Sequence, residues 1–369
     1  MHQMDDLDAV WGLAVMTSSF RDSNTKYEKW LRTQCSVIEG DLDLKHKRMK
    51  KSAFIFLRAT YFRWAKLITS TCPELRGAPE VLSVGDAHVE NFGTWRDAEG
   101  RLVWGVNDFD EGATMPYPLD LIRLAASVRL SPELRLPHHT AADAILTGYG
   151  EGLVKPKPTL LTERETWMQP YVSRTVDSPH KFWNEVAGAC DAEPPRQVRR
   201  NLAASLPPGA KIARFASWAK GGGSLGRPRY LAIAEWQRGQ VLREAKALVP
   251  SAWSWAHGSK SKATQFGDLA NSKFRSPDPF LAVKDGFVLR RIAPDSHKVE
   301  LGEAAGQELT IKLLQLMGFD LASIHMGSDN GKLISKDLKG RPEGWLQAAA
   351  KQAARMVKQD YAEWKSRKR

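Results

Sequence analysis

Two short segments constrain this chain more than anything else in it: V-G-D-A-H-V-E-N at 84–91 and V-N-D-F-D-E at 106–111. The first sets Asp86 and Asn91 five residues apart, and the second places Asp108 at the end of an apolar run. Apolar runs at 81–84 and 102–106 precede the two acidic positions, so each segment is expected where a strand gives way to a loop. A loop carried on a strand can aim side chains at a ligand without burying its own backbone groups. Brought together, Asp86, Asn91 and Asp108 make three oxygen ligands suited to Mg2+ and a nucleotide phosphate. In such a site Asp86 takes the proton from an attacking hydroxyl, Asn91 and Asp108 hold the metal, and the cation offsets charge developing on the phosphoryl oxygens. The competing reading is ordinary turn chemistry, which Asp and Asn also favour.

A third element follows in order. P-Y-P-L-D-L-I-R-L-A-A-S at 116–127 reads as a helix start in which Asp120 is structural, its carboxylate accepting backbone N–H bonds. The ordered set resembles the protein-kinase-like superfamily. The D-x-H-x-x-N form, with His88 two places after Asp86, is more similar to the aminoglycoside and choline phosphotransferase branch, whose members also follow a metal-binding Asp with a D-L-A-like helix start. F-L-R-A at 56–59, Gly85 to Gly93 and Asn107 to Glu111 further resemble, in this order, a bacterial family known only as a domain of unknown function. That resemblance extends loosely over residues 47–325 and implies a kinase-like fold rather than a substrate.

At 369 residues the chain is long enough for two lobes, each with its own core. Its 42% apolar and 26% charged residues are those of an ordinary globular protein. No run of about 18 apolar residues is present, and the acidic opening M-H-Q-M-D-D-L-D-A-V-W lacks the basic region of a secretory signal. A cytoplasmic protein that makes no membrane contact is therefore expected. Cys35, Cys72 and Cys190 are too scattered for a disulfide framework or a zinc site. The net charge of +12 and the K-S-R-K-R stretch at 365–369 suit an anionic partner. Nucleic acid is not favoured, because the basic residues are spread along the chain instead of interleaved with aromatics in one block.

One helix is expected from Met49 to about Ile68, carrying Arg58 and Arg63. Asp97-Ala98-Glu99-Gly100 reads as a turn, and helices follow at 119–130 and 140–153 before Lys155-Pro156-Lys157-Pro158 stops the pattern. Beyond Glu193-Pro194-Pro195 the character changes to strand, glycine loop, strand, turn, strand: 212–219, then Gly221-Gly222-Gly223-Ser224-Leu225-Gly226, then 230–234 and 241–246. By the resemblance this is the nucleotide-covering part of a kinase small lobe, in which Gly221, Gly223, Ser224 and Gly226 approach the phosphates of ATP and Lys246 pairs with them. It is not a Walker A loop, since Arg227 and Pro228 follow Gly226, and a glycine triplet also serves as a linker or hairpin turn. Asp268 is the candidate carboxylate partner for Lys246. Asp285-Gly286 marks a hairpin, after which Ile292 to Asp295 would pass the adenine. Helices at 303–326 and about 344–366 close the chain, the first ending in His325, read as a satisfied helix-end histidine.

In ordinary kinases the glycine loop and Lys precede the catalytic Asp, and here Asp86 comes first. The resemblance therefore implies an α+β, two-lobed, circularly permuted protein-kinase-like fold with a small β-rich lobe inserted after the catalytic segments. A helical large lobe with the catalytic and metal loops would span 1–190, a nucleotide-covering lobe 191–300, and C-terminal helices returning to the large lobe 301–369. Such a permutation is physically mild where the original termini lie close together. Asp86 and His88 are the catalytic candidates, and Asn91, Asp108 and Asp110 the metal candidates. Asp110 with Glu111 alternatively offers a site for a cationic substrate. The expected activity is ATP- and Mg2+-dependent phosphotransfer to a small hydroxyl-bearing acceptor. The alternative is an atypical or inactive kinase-like nucleotide-binding module, or a nucleotidyl transferase, that binds an acidic partner through its basic surface.

Overall fold

The computed structural model describes residues 18–168, 179–294, 306–328 and 330–366 of a mixed α+β chain. Four helices come first: α1 (Phe20–Gln34), α2 (Glu39–Met49), α3 (Ala53–Ala59) and α4 (Tyr61–Thr71). Then follow β1 (Glu80–Ser83), β2 (Phe92–Arg96), β3 (Leu102–Val106), β4 (Ala113–Pro116), α5 (Pro118–Leu130), α6 (His138–Val154) and β5 (Thr159–Leu160). The next stretch holds α7 (Pro179–Ala187), β6 (Cys190–Asp191), α8 (Arg196–Ala204), β7 (Lys211–Ser217), β8 (Arg229–Trp236) and β9 (Gly239–Ala247). Two short helices, α9 (Ala252–Ala256) and α10 (Phe266–Ala270), lead to β10 (Ala282–Lys284) and β11 (Phe287–Ile292), and α11 (Gly306–His325), α12 (Gly331–Gly340) and α13 (Trp345–Ser366) end the described chain. No helix among the described residues is long and apolar enough to cross a membrane. Residues 1–17, the expected adenine-passing position Asp295 and the last three residues of the basic tail lie outside the described residues.

The helix expected from Met49 to Ile68 is two helices. At Thr60 the backbone leaves the helical region, with φ −126° and ψ 37°, and the Thr60 hydroxyl donates to the Phe56 carbonyl at 2.7 Å. The break separates two arginines that one continuous helix would have kept in fixed relation. Arg58 on α3 lines the central cavity, whereas Arg63 on α4 makes a bidentate pair with Asp360 of α13 at 2.9 and 3.1 Å.

The turn at Asp97–Gly100 reverses the chain as expected, its geometry fixed by Asp97 Oδ1, which accepts the backbone N–H groups of Glu99 and Arg101. The strand that it joins to β3 is β2, F-G-T-W-R, whose length and glycine give no clear period to read. β1 pairs instead with β4, from Glu80 opposite Pro116 to Ser83 opposite Ala113. The largest sheet is antiparallel, with strand order β10-β11-β9-β8-β7-β6. Two tight turns build it. Gln237 and Arg238 have φ of 50° and 61°, and Asp285 and Gly286 have φ of 49° and 75°, the left-handed pair that matches the twist of flanking strands. Alternation along β8 then sends Leu231 and Ile233 to one face, against Val186 of α7, and Ala232 to the other, against Val198 and Leu202 of α8.

Two buried aspartates position the acidic loops. Asp120, in the first turn of α5, accepts the backbone N–H groups of Val84 and Gly85 at 2.7 and 2.8 Å and the His325 Nε2 at 3.0 Å. The His325 ring is completed by the Tyr149 hydroxyl at 2.8 Å, so the histidine is a satisfied core residue. Asp320 of α11 accepts the N–H of Val106 at 2.7 Å. The approach requires Gly105, since a Cβ there would stand 2.7 Å from both Asp320 carboxylate oxygens. Asp120→Ala leaves two buried backbone donors and a histidine without their acceptor, and is expected to cost about 3–5 kcal/mol. Urea unfolding measures the loss, and hydrogen exchange should speed up first at Val84 and Gly85.

Candidate functional site

The pinned loops meet at Asn91, whose Nδ2 donates to the carbonyls of Asp86 at 3.1 Å and Asp108 at 3.0 Å. Both amide protons are thereby used, and the carboxamide oxygen takes no part in these bonds. His88 accepts the Glu90 N–H on Nδ1 at 3.2 Å and so caps the short turn Val89–Asn91 that aims the amide. Its Nε2 is 3.9 Å from Asp86 Oδ2, beyond hydrogen-bond reach, so the ring shapes the loop and neighbours the carboxylate without bonding it.

Asp86 is held by Arg123, whose Nε donates to Oδ1 at 2.7 Å. Arg123 is fully buried between the Tyr61 and Trp64 rings, and its Nη2 donates to the Leu57 carbonyl at 2.9 Å. Burial pushes the Asp86 carboxyl above the usual aspartate range, with Arg123 and Arg58 pulling back and Asp108 adding to the rise. A carboxylate so placed is a better proton acceptor than one in water.

Asp108 behaves oppositely. Its side chain keeps 38% exposure, and Lys246 Nζ sits 3.1 and 3.0 Å from its two oxygens. Burial opposes ionisation, but Lys246, the Asp110 contact and Arg290 together hold the carboxyl well below the usual range. Asp110 shares the same lysine at 2.8 Å and lies 3.4 Å from Arg227, yet burial and the neighbouring Asp108 raise it. Lys246 is thus a buried residue, 2% exposed, delivered by β9. The expected partner Asp268 is exposed on α10, and the carboxylates that pair with Lys246 are Asp108 and Asp110. The sheet folds Lys246 back across 138 residues of chain to reach Asp108.

The glycine loop joins β7 to β8. Gly221 and Gly226 have φ of 92° and 96°, and a Cβ on Gly226 would lie 2.5 Å from Leu42 of α2. The Gly221 carbonyl accepts from Arg48 at 3.1 Å, and the Gly223 carbonyl from Lys45 at 2.9 Å. Ser224 Oγ accepts from Arg229 at 3.2 Å. A Cβ on Gly223 would stand 3.1 Å from the Arg58 carbonyl and 3.7 Å from Asp86 Oδ2, so the loop lies directly over the Asp86 carboxylate. Between loop, sheet and acidic segments is a cavity of about 410 Å3, with Phe182 and Trp218 on its wall.

Several residues of this wall escaped sequence reasoning. Glu244, fully buried two places before Lys246, is bonded by Arg229 at 2.9 and 3.0 Å, by Arg290 at 2.7 Å and by Trp218 at 2.9 Å. Its signal was the period-two alternation of β9, which puts Glu244 and Lys246 on one face. Arg227 bonds Glu111 at 2.8 Å, and Glu111 in turn accepts the Ala252 N–H at 2.7 Å. Arg123 was signalled by a lone cation inside the apolar run L-D-L-I-R-L-A-A-S.

A divalent metal is tested by the donors themselves. Among the described residues no group of three His, Cys, Asp or Glu side chains converges as a metal site. What converges is Asp108, held ionised, the free oxygen of Asn91, and Asp110, whose buried Oδ1 has no partner. Few protein oxygens with further positions left for water and phosphate is the habit of Mg2+, and the set fits it. Lys246 now neutralises the same carboxylates, so a metal there would share them with it.

The opposite shifts of the two acids have a direct test. Carbon-detected titration of labelled aspartate carboxyls should find Asp86 above and Asp108 below the ordinary range, and Arg123→Gln should move Asp86 further upward because the cation that lowers it is gone. A downward move would contradict the geometry.

No curated protein and no solved structure matches the chain. Residues 38–151, the stretch that contains Arg58, Asp86, Asn91, Asp108 and Asp120, match a family described as an uncharacterized protein conserved in bacteria (DUF2252).

Proposed function

We propose that this chain is an ATP- and Mg2+-dependent phosphotransferase with a circularly permuted kinase-like architecture, acting on a small hydroxyl-bearing acceptor. One observation carries the reading: Lys246, from a sheet far downstream, reaches Asp108 at 3.0 Å while the glycine loop of the same sheet lies over Asp86. A phosphate-covering loop, a metal-binding acid and a base thereby line one cavity, with the lysine seated on its acids. The lobes proposed are 1–190, 191–300 and 301–369, with the six-stranded sheet supplying the nucleotide-covering part.

In this reading the glycine loop and Lys246 hold the phosphates of ATP, and Asp108 with Asn91 and Asp110 holds Mg2+, which supplies charge neutralisation to the transferring group. Asp86 orients the acceptor hydroxyl and takes its proton as the oxygen bonds to the terminal phosphorus, ADP leaving with the electrons of the broken P–O bond. Arg123 keeps one carboxylate oxygen engaged, so the other, Oδ2 on the glycine-loop side, is the one that meets the acceptor. The raised Asp86 carboxyl places the acid limb of kcat/KM above the ordinary aspartate range, activity falling as pH drops through it.

The Arg123 ion pair is also what favours a second reading, a nucleotide-binding module without transfer, because a carboxylate already balanced by a buried cation has less need of a proton. Two variants separate them. Asp86→Asn is expected to keep nucleotide binding and slow transfer, to acceptor or to water, by roughly 10²–10⁴-fold. Asp108→Ala is expected to abolish Mg2+-dependent ATP binding in isothermal titration with the fold intact. Metal-dependent binding without any turnover in the unaltered protein would select the binding module.

A further inference from the structure

The cavity wall is crowded with cations, and almost all of them are already neutralised. Arg227 faces Glu111, Arg229 and Arg290 face Glu244, and Arg58 faces Glu90; just outside the lining, Lys246 faces Asp108 and Asp110, and Arg123 faces Asp86. Lys45 is different. It is 5% exposed, lines the cavity, and among the described residues has no carboxylate within ion-pair distance. Its one hydrogen bond goes to a neutral acceptor, the Gly223 carbonyl, so two of its three ammonium protons are unused. The same loop residues lie against Arg58, whose Nη1 pairs with Glu90: a Cβ on Gly222 would lie 3.8 Å from its Nη2, and its buried Nε has no partner. A buried ammonium with unused donors is costly unless an anion completes it.

We propose that Lys45 and Arg58 form, beneath the glycine loop and beside Asp86, a binding site for a tetrahedral phosphoryl oxyanion. The site stands on this geometry, and only the naming of its occupant as the terminal phosphoryl group in transit rests on the phosphotransferase reading. Lys45 would then grip the group being transferred, leaving Lys246 to the metal-binding acids. Electrostatics agree with a missing counter-charge. Burial, together with Arg227, brings the Lys45 amine down to about 8, against the opposing pull of Glu28, Glu111 and Asp86.

The test uses the full chain and inorganic phosphate, without nucleotide or metal. Isothermal titration should show binding in the unaltered protein, and Lys45→Gln should weaken it by about tenfold or more, the usual worth of a charge-assisted bond. In protein labelled at the lysine ε-carbon, saturating phosphate should raise the Lys45 titration midpoint, because the bound anion supplies the counter-charge. Absence of phosphate binding, equal affinity in Lys45→Gln, or an unmoved Lys45 midpoint each overturns the proposal. The midpoint needs no substitution, so a variant that fails to fold does not shelter it. Mg2+-dependent ATP binding that persists in Asp108→Ala would remove the phosphotransferase reading and leave this site standing.

Discussion

Everything at the site depends on one carboxylate that takes no part in its chemistry. Asp120 has no exposure at all and accepts two consecutive backbone N–H groups, Val84 and Gly85, immediately before Asp86. A loop cannot hold a reactive side chain in place unless its own backbone is fixed, and here the fixing is done from a neighbouring helix start. Gly85 is the residue that tolerates it: φ is 79°, and a Cβ would stand 2.3 Å from the Glu111 carbonyl. Asp320 treats Val106, two residues before Asp108, in the same way. Two buried acids on two helices therefore set the separation of two acidic loops, and Asn91 bridges the remaining gap with its amide protons.

The sheet is tied to those loops by charge. Arg227 enters from the loop before β8 to bond Glu111, whose backbone carbonyl accepts from Ser251 at 2.8 Å, and Lys246 enters from β9 to meet Asp108 and Asp110. Buried pairs of this kind add little net stability over apolar packing, but removing one partner strands the other at a cost of about 3–5 kcal/mol. They therefore act as a registration device: the sheet can dock in one position and not in its neighbours. In the proposed reading, phosphate and metal would enter a site whose charges are nearly balanced, exchanging partners with Lys246 instead of creating charge in a dry cavity. Asp110, raised and with one orphaned oxygen, is the member of the set with room to make that exchange.

Much of this was legible because its signals are local. D-G at 285–286 forces a two-residue hairpin, Asp97 closes its own turn, and the acidic segments lie where apolar runs end, so strands, turns and loop residues could be read from a few neighbours at a time. Asp120 was recognisable as structural, although its acceptor role serves Val84 and Gly85 and not its own helix. What could not be read were the long-range partners. Nothing in the order of residues says that Lys246 meets Asp110, that Glu244 collects two arginines, or that Lys45 lies under Gly223, since those contacts exist only once the sheet has docked. The helix break at Thr60 is not legible either, because the apolar period continues through it while the backbone at Thr60 leaves the helical region.

The proposed permutation makes a physical demand that can be checked against the packing. A chain can be cut and rejoined at new points without loss of its core only if the elements flanking the cut lie side by side. The first and last described helices do. The backbone N–H of Phe20 donates to Glu363 at 2.9 Å, Arg21 donates to the Trp364 carbonyl at 2.9 Å, and the Phe20 and Trp364 rings meet edge to face at 5.5 Å. Arg63 adds its bidentate bond to Asp360 beneath them. The same α13 also packs against α5, the helix that carries Asp120 and Arg123, so one element joins the start of the described chain to the scaffold of Asp86. What the proposed permutation would change is therefore the sequence in which the sheet and the acidic loops are made, not the contacts that hold Lys246 against Asp108.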